Sequence, residues 1–414
     1  MAITDKEQGV WILDEVYNKQ NQGGIWSYDG IPAWFTMGKG EYGDLGLNAS
    51  APSGGSRSSP TQLPGTTWSR ISSSGGRGFR GLKTDGTAWA WGYNNVGQLG
   101  INIGQPAYAV GDRSSPTQIG ADNTWSSKFT SDDASTFWIK TDGTLWSWGY
   151  NPSGELGLNE HSIGYPFPSR SGMYSSPTQV GSDATWSDVI AAAGTTYATK
   201  TNGSLWSWGN GRGGNLGDNE SGPTHRISSP AQVGTGTDWS KLAGSSSGAA
   251  FAIKTDGTTW SWGYDQYGKL GLNEAGGHRS SPTQLPGTWN NFTKAYSHVI
   301  ATKTDGTLWS WGYNPFGNLG LNDRGAGGST SRSSPTQVPG TTWSQVAAGY
   351  LTSMATKTDG TLWTWGENEA GQMGQNTPGS PSAGAISSPT QVGTDTGWSD
   401  PAGSREEFFA QRML

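Results

Sequence analysis

The chain has 414 residues, of which 66 are glycine and 21 are proline. Its formal net charge is −6 and it has no cluster of basic residues, so we predict that it has no nucleic-acid partner. Aromatic residues make up 11% of the chain and recur at fixed intervals, which excludes a disordered Gly-rich polymer, because such polymers have nothing large to bury. Without cysteine there is no disulfide or thiolate metal site, and without a long apolar run we expect no membrane insertion.

The first 22 residues lie outside the repeated part of the chain and form a separate arm in our prediction. Thr4 and Glu7 have the spacing of a capping box, and the apolar residues after them recur with roughly helical spacing. This stretch lacks the basic start of a signal peptide, so we expect no conventional secretion. A short helical or extended arm would either anchor the chain to a larger assembly or cover the neighbouring blade. Its candidate anchor residues are Val10, Trp11, Leu13, Val16 and Tyr17.

Residues 23–414 contain one pattern seven times. Each copy has aromatic-x-aromatic-Gly, with Met in place of the second aromatic in the first copy, then Leu-Gly or Met-Gly eight residues after that position, then Ser-Ser-Pro and a further Trp. The copies follow one another at intervals of 49–60 residues, and periods of this size are typical of propellers. We therefore predict one domain. The second aromatic position holds Met37, Trp91, Trp148, Trp208, Trp262, Trp311 and Trp365.

One copy, residues 343–392, divides into four strands. Two short strands come first, and the second leads into Asp359-Gly360, a strong signal for a hairpin turn. Residues 361–366 then alternate large and small side chains, which places both of their tryptophans on one buried face. The fourth strand begins at Pro389 and fits a sheet edge, because proline donates no ladder hydrogen bond. Four strands make a propeller blade, so seven copies predict seven blades.

The residues that carry chemistry in other proteins are scattered here. Five copies have Asp in the Asp-Gly turn and one has Asn202, which shares the turn role but is no general base, so we predict a structural role. The four histidines lack metal-ligand spacing. We therefore predict no enzyme activity, catalytic residue, metal or cofactor. The arginines before Ser-Ser-Pro, expected to be solvated or to brace loops, are Arg57, Arg113, Arg279 and Arg332.

The copies differ most between Leu-Gly and Ser-Ser-Pro. Insertions at one point of a repeat map to loops on one face, which is the candidate binding surface. The longest insertion spans residues 160–174 and is rich in residue types found at recognition hot spots. In a second interpretation, equally open, this loop folds its aromatic side chains onto its own blade. The candidate binding residues are His161, Tyr165, Phe167, Arg170 and Tyr174.

The last copy is incomplete, and the first begins where the last stops. Arg412 follows Trp398 by 14 residues, the interval that separates Lys303 from Trp289 in a complete copy. We expect residues 25–30 and 34–38 to supply the strands that the last blade lacks. The predicted fold is an all-β, single seven-bladed β-propeller closed by strands from both termini, with a short helical or extended arm at residues 1–22.

The motifs of the repeat resemble those of the regulator of chromosome condensation family. They read Asp305-Gly306, Trp311-Gly312-Tyr313-Asn314 and Gly317-Asn318-Leu319-Gly320 in one copy. The resemblance covers residues 23 to about 414 and implies a seven-bladed propeller. Family members often carry His after the Gly that ends the first strand, and only Ser297-His298 is similar here. The resemblance therefore implies the fold and not the nucleotide-exchange activity of the chromatin-bound member.

The opening residues 1–11 and the near-identity of the copies resemble virion structural proteins of aquatic tailed bacteriophages. This resemblance implies a capsid-fibre or tail-fibre component in the virion, joined to other virion proteins through the arm within a homo- or hetero-oligomeric assembly. Its loops would contact a host surface glycan or protein, or neighbouring subunits. The alternative is a cytoplasmic protein-protein interaction scaffold of the same repeat family. A glycan-active hydrolase is a third hypothesis.

Overall fold

The computed structural model describes most of the chain from residue 32 onward. The described ranges are 32–49, 55–73, 78–103, 111–132, 134–161, 172–246, 248–293, 297–325, 329–376, 384–404 and 406–413. They contain 28 β-strands and two short 3₁₀ helices, Arg212–Gly214 and Gln266–Gly268. None of the helices in these ranges has the length and apolar character needed to cross a bilayer.

The strands are numbered in chain order. The first ten are β1 Pro32–Gly38, β2 Arg57–Gln62, β3 Trp68–Ser73, β4 Gly78–Lys83, β5 Ala88–Gly92, β6 Arg113–Gln118, β7 Trp125–Ser131, β8 Ser135–Lys140, β9 Leu145–Tyr150 and β10 Met173–Gln179. The next eight are β11 Trp186–Ala192, β12 Thr195–Lys200, β13 Leu205–Asn210, β14 Arg226–Gln232, β15 Trp239–Ser246, β16 Ala249–Lys254, β17 Thr258–Gly263 and β18 Arg279–Thr288. The last ten are β19 Asn291–Phe292, β20 His298–Thr302, β21 Leu308–Gly312, β22 Arg332–Val338, β23 Trp343–Ala348, β24 Thr352–Lys357, β25 Leu362–Gly366, β26 Ile386–Gln391, β27 Trp398–Gly403 and β28 Glu407–Met413.

These strands form seven four-stranded antiparallel sheets, the blades of a propeller. Blades 1 to 6 each use four consecutive strands, from β3–β6 in blade 1 to β23–β26 in blade 6. The seventh, which we call the closure blade, has the order β2-β1-β28-β27. The first strand of each of blades 1 to 6, together with β27, contacts its counterparts in both neighbouring blades, so these seven inner strands surround a central channel. The predicted seven-bladed, all-β propeller is confirmed.

The closure blade combines the two ends of the described chain. Its two inner strands come from the C-terminal end and its two outer strands from the N-terminal end, and β1 pairs with β28 along its whole length, with Phe35 opposite Ala410. The predicted closure through residues 34–38 is confirmed. The other expected segment, residues 25–30, lies outside the described residues. Because the ring is closed, no blade has an uncovered face at the end of a stack.

The second tryptophan of each repeat joins its blade to the preceding one. In blades 1 to 6 this side chain is fully buried, and its indole N–H donates to a backbone carbonyl just before the Leu-Gly of the preceding blade. Each buried indole removes on the order of 150–250 Å² from water, so the blade contacts are mainly hydrophobic. The bonds are Trp91 to Asp44 (2.9 Å), Trp148 to Gln98 (3.0 Å), Trp208 to Glu155 (2.7 Å), Trp262 to Asn215 (3.1 Å), Trp311 to Lys269 (2.7 Å) and Trp365 to Asn318 (3.0 Å).

The Leu-Gly glycine is required by this packing. Gly100 has a φ of +71°, and a Cβ built on it would lie 2.5 Å from Nε1 of Trp148. No other residue fits so close to the indole, which explains why every copy has glycine at this point. In the closure blade Met37 takes the place of the indole and packs against the equivalent Gly374.

A second contact between blades explains the Ser-Ser-Pro motif. The Asn two residues after each Leu-Gly has a positive φ, and its N–H donates to the carbonyl of the first Ser in the outer strand of the next blade. At Asn102 this bond to Ser175 is 2.8 Å, and the hydroxyl of Ser176 donates back to Asn102 Oδ1 at 3.0 Å. Asn tolerates the left-handed conformation better than most residues, which accounts for its recurrence here.

One predicted strand boundary is wrong. The outer strand of blade 6 begins at Ile386, three residues before the predicted start at Pro389. Its ladder to β25 shifts register between Thr364 and Gly366, so the segment that contains the proline has no regular partner there. The bulge tolerates the missing N–H, and the strand is an edge strand as predicted.

Candidate functional site

The antiparallel order of each blade gives the ring two different faces. The Asp-Gly turns between the second and third strands lie on one of them, which we call the turn face. The hairpins between the first and second strands, and the connections between the third and fourth, lie on the opposite one, the loop face. Insertions between the copies therefore fall on the loop face, because they occupy the same connection in each repeat.

On the turn face, the repeated Asp stabilises the turn. The backbone N–H and hydroxyl of Thr87 donate to Asp85 Oδ1 at 3.0 and 2.6 Å, and the Trp89 indole donates to the Thr87 hydroxyl at 2.8 Å. The hydroxyl bond, followed by the backbone bond, lowers the pKa of the Asp85 carboxyl. The predicted turn role is confirmed, with each carboxylate held in its own blade. The same pair of bonds forms at Asp142, Asp256, Asp305, Asp359 and Asn202.

A cation at the end of each second strand packs against two aromatic rings. In blade 2, Nζ of Lys140 lies 4.0 Å from the ring centroid of Trp146 and 4.9 Å from that of Trp125. In the closure blade, Arg412 lies over Phe35 and Trp398, as its spacing predicts. These contacts recur from blade to blade, so they belong to the scaffold.

The arginines before Ser-Ser-Pro brace loops, one of the two roles predicted for them. Arg332 donates to the carbonyl of Thr330 at 2.7 Å and pairs with Asp323 at 2.5 Å. Arg279 pairs with Glu274 at 2.6 Å in the same way. They lie at the starts of separate outer strands and do not converge on a common site.

The candidate binding loop is described only at its two ends. His161 is exposed at one end, and Tyr174 lies in β10, where it is half-buried and packs against the core clusters on both sides of blade 2. The remaining candidates, Tyr165, Phe167 and Arg170, lie outside the described residues, so their binding role stays a prediction. The candidate anchor residues of the arm, Val10, Trp11, Leu13, Val16 and Tyr17, also lie outside the described residues.

The loop face carries aromatic pairs that the sequence analysis missed. The rings of Tyr267 and Tyr313, from blades 4 and 5, stack at 4.2 Å, and Tyr264 stacks on His278 at 4.5 Å. Tyr267 is 36% exposed and has a φ of +63°, whereas Gly213 occupies the equivalent position of blade 3. A tyrosine in the left-handed region is strained by about 1–3 kcal/mol, and strain of this kind concentrates at functional sites. The Tyr that follows Trp-Gly in several copies was an available sequence signal for Tyr264 and Tyr313, but Tyr267 lies outside that motif.

Two carboxyl groups are buried together between blades 2 and 3. Burial, with a further contribution from the Asp132 carboxylate, raises the pKa of Glu155 to about 8. The N–H of Ser153 donates to Glu155 Oε2 at 2.7 Å, and the N–H of Gly194 donates to Asp132 Oδ2 at 3.3 Å. Both groups are enclosed by the protein, so they affect stability and have no access to a substrate.

His298, the residue singled out by the family pattern, is fully buried in β20. Its Nε2 lies 2.8 Å from the hydroxyl of Ser353, which in turn donates to the carbonyl of Asn318 at 2.8 Å. Burial lowers the pKa of His298 to about 3, so the imidazole is neutral at physiological pH. The pair has no access to solvent and joins blades 5 and 6. Across the described ranges, no group of three or more His, Asp or Glu side chains is placed to hold a metal ion.

A ring of polar side chains surrounds the central channel. Each of the seven inner strands contributes one residue two or three positions after its tryptophan. Three are cations, two are carboxylates and two are amides, which gives the ring a formal charge of +1. We call this set the channel ring: Arg70, Lys128, Asp188, Lys241, Asn291, Gln345 and Asp400.

The family model of the RCC1-like domain matches residues 33–401. The chain belongs to this family. Among proteins of known function, it is 27% identical to the ultraviolet-B receptor UVR8 of Arabidopsis thaliana over 84% of the chain and 63% of the receptor. It is 26% identical to the human E3 ubiquitin-protein ligase HERC2 over 70% of the chain but 7% of the ligase. The chain thus spans less than two thirds of each of these relatives.

Solved structures of RCC1-like propellers have the same fold. Prp20p from Saccharomyces cerevisiae superposes with a TM-score of 0.76 at 19% identity, covering 93% of this chain and 92% of Prp20p. Human WBSCR16 superposes with a TM-score of 0.74 at 17% identity, covering 92% of this chain and 98% of that protein. At this identity the two structures show the fold alone. The family match and the curated relatives give no support to the virion hypothesis. They favour the alternative, a protein-interaction propeller.

Proposed function

We propose that this RCC1-like propeller is a protein-interaction scaffold, located in the cytoplasm, and that its loop face binds a partner protein through Tyr267 and Tyr313. The observation that carries the proposal is Tyr267, a partly exposed aromatic residue kept in a strained backbone conformation where another blade has glycine. A purely structural role in the propeller does not require a tyrosine at this position.

The chemistry of the surface fits a protein partner. Stacked tyrosines supply a large, rigid contact area at a small cost in side-chain entropy, and tyrosine is enriched at interface hot spots. Related proteins also support the proposal, since the structural study of Prp20p concerns its binding to Gsp1p and histones, and yeast RCC1 has been solved with Kap60 bound.

Cross-linking and mass spectrometry in the source organism test the proposal, comparing wild type with Tyr267→Gly. Glycine adopts a φ of +63° without strain, so this variant should fold at least as stably as wild type and yet lose its partner. Tyr42→Ala is the matched control, because Tyr42 packs against Tyr93 in a tilted pair, with ring centroids 4.6 Å apart, on another part of the same face.

A partner retained by Tyr267→Gly and lost by Tyr42→Ala would contradict the assignment of the surface. If no partner protein is recovered and the chain is instead found in purified phage particles, the virion hypothesis replaces the scaffold. Turnover of a glycan library would favour the hydrolase hypothesis.

A further inference from the structure

The channel ring contains two cations that no carboxylate contacts. Arg70 donates one hydrogen bond, to the carbonyl of Ser127, and its guanidinium lies 5.0 Å from the Phe129 ring. Lys241 lies 3.3 Å from two neutral oxygens, the carbonyl of Asn290 and Oδ1 of Asn291. Most of the donors of these two side chains therefore remain available, since guanidinium has five N–H groups and ammonium three.

The two carboxylates of the ring are already engaged elsewhere. Asp188 pairs with Lys128 at 3.7 Å, and Asp400 accepts a hydrogen bond from Gln345 Nε2 at 2.9 Å. The backbone N–H of Asp400 also donates to Gln345 Oε1 at 2.7 Å, which fixes this carboxylate beside blade 6. Neither carboxylate forms an ion pair with Arg70 or Lys241, although Asp188 acts on the charge of both cations and Asp400 on that of Arg70.

The channel has room for a small molecule next to Arg70, and Lys241 reaches the same space through its contact with Asn291 at 3.3 Å, although Lys241 itself does not line the cavity. A cavity of about 600 Å³ is lined by residues of five inner strands, including Arg70, Asn291, Gln345 and Asp400. This volume is within the range of small-molecule sites. Partial removal of Arg70 and Lys241 from water lowers the pKa of both groups, with Asp188 opposing the effect in each case and Asp400 also opposing it at Arg70. An anion in the channel would offset this cost.

We propose that the central channel binds a small molecule bearing an oxyanion, a carboxylate or a phosphate group, against Arg70, with Lys241 adding its charge from behind Asn291. The guanidinium of Arg70 presents a planar pair of donors that matches either group. The apolar part of the ligand would contact Ile71 and Val346 in the channel wall. This site is separate from the loop-face surface, so either assignment stands or fails independently.

Isothermal titration of the full chain at low ionic strength tests the proposal, with inorganic phosphate and succinate as separate probes. At least one probe should bind with a stoichiometry of one per chain, and the tighter of the two identifies the group. Arg70→Gln and Lys241→Gln should each weaken binding by roughly tenfold, because each removes a charge-assisted contact. Arg57→Gln, on an outer strand, is the matched control and should bind as wild type does.

Asp188→Asn gives a test of opposite sign. Removing this carboxylate raises the positive charge of the ring, so the anion should bind more tightly, an effect that a purely structural role does not predict. The proposal is overturned if neither probe binds wild type, or if Arg70→Gln and Lys241→Gln both bind with wild-type affinity. Melting curves show whether each variant folds. If either Arg70→Gln or Lys241→Gln fails to fold, the anion affinity of the other variant tests the proposal.

Discussion

The backbone N–H of Asn376 donates to the carbonyl oxygen of Ser58 at 2.8 Å and joins the last complete blade to the outer strand of the closure blade. The same contact joins Asn48 to Ser114 at 2.7 Å, where the closure blade meets blade 1. The closure blade is thus bound to both neighbours by the contact that holds all other blades together. Closure of the ring therefore repeats the packing of the blades without a special device.

We predict that a chain ending at residue 394 loses the ring. The deletion removes β27 and β28, so β1 keeps β2 but loses β28 along its whole length, and that edge of β1 becomes exposed. The truncated chain should aggregate or melt at a much lower temperature, as measured by scanning calorimetry and light scattering.

Deletion of residues 2–20 is the control of similar size at the other end, and it should leave the melting temperature unchanged. A C-terminal truncation as stable as the full chain would show that the closure blade does not hold the ring together.

We predict that Gly100→Ala is much more destabilising than Gly120→Ala. Both glycines have a positive φ, +71° and +61°, so both variants have the backbone strain of a left-handed alanine, about 1–2 kcal/mol. Only at Gly100 does the new Cβ meet a buried indole, and overpacking of this kind costs a further 1–3 kcal/mol or so. Urea unfolding measures both free energies, and equal losses would contradict the packing of Trp148 against Gly100.

Most of the fold could be predicted from the sequence, because the repeat reports the same packing seven times. The period, the Asp-Gly turn and the Trp-x-Trp alternation each determine local geometry, and Arg412 revealed the register of the closure blade. The start of β26 was missed because a bulge, formed only on pairing with β25, accommodates Pro389 within the strand. The contact between Asn376 and Ser58 was not predictable, since it joins motifs of different copies.

The candidate sites were much less predictable, because function depends on the residues that differ between copies. The channel ring has a different composition in nearly every blade, and a bulge in β7 moves Lys128 one position later than Arg70. Only the assembled ring brings Arg70 and Lys241 to one channel. Similarly, the sequence does not show that Tyr267 has a positive φ, since the glycine at this position appears only in blade 3.

We predict that Glu155 makes the protein less stable as the pH rises. Its pKa is 4.5 in the unfolded chain and about 8 in the fold, so between these values the folded state binds the additional proton. The free energy of unfolding should therefore fall across this window, by up to about 1.4 kcal/mol per pH unit from this group. Glu155→Gln should flatten that slope and increase stability at high pH, because it removes a charge buried beside Asp132.

Urea unfolding between pH 5 and pH 9 measures the effect. Glu369→Gln, at an exposed carboxylate on the equivalent connection of blade 6, is the matched control and should keep the wild-type slope. An unchanged slope in Glu155→Gln would mean that this carboxyl is ionised in the fold.

We predict the opposite pH dependence from His298. Burial lowers its pKa from 6.5 to about 3, so below pH 6.5 the unfolded chain takes up a proton that the folded chain excludes. The contribution of this group to stability is therefore complete above pH 6.5 and is lost as the pH falls towards 3.

His298→Thr should reduce this loss of stability at acid pH. Threonine fits the position, since Thr195 and Thr352 occupy the equivalent positions of blades 3 and 6 and donate to backbone carbonyls at 2.6 and 2.7 Å. Its overall stability should be lower because of the cavity left beside Ser353, so the slope of the unfolding free energy between pH 6.5 and pH 4 is the relevant measurement. His161→Thr, at an exposed histidine, is the control and should retain the wild-type slope. If His298→Thr also retains it, the imidazole is protonated within the fold, and its contact with Ser353 has to be an ionic hydrogen bond.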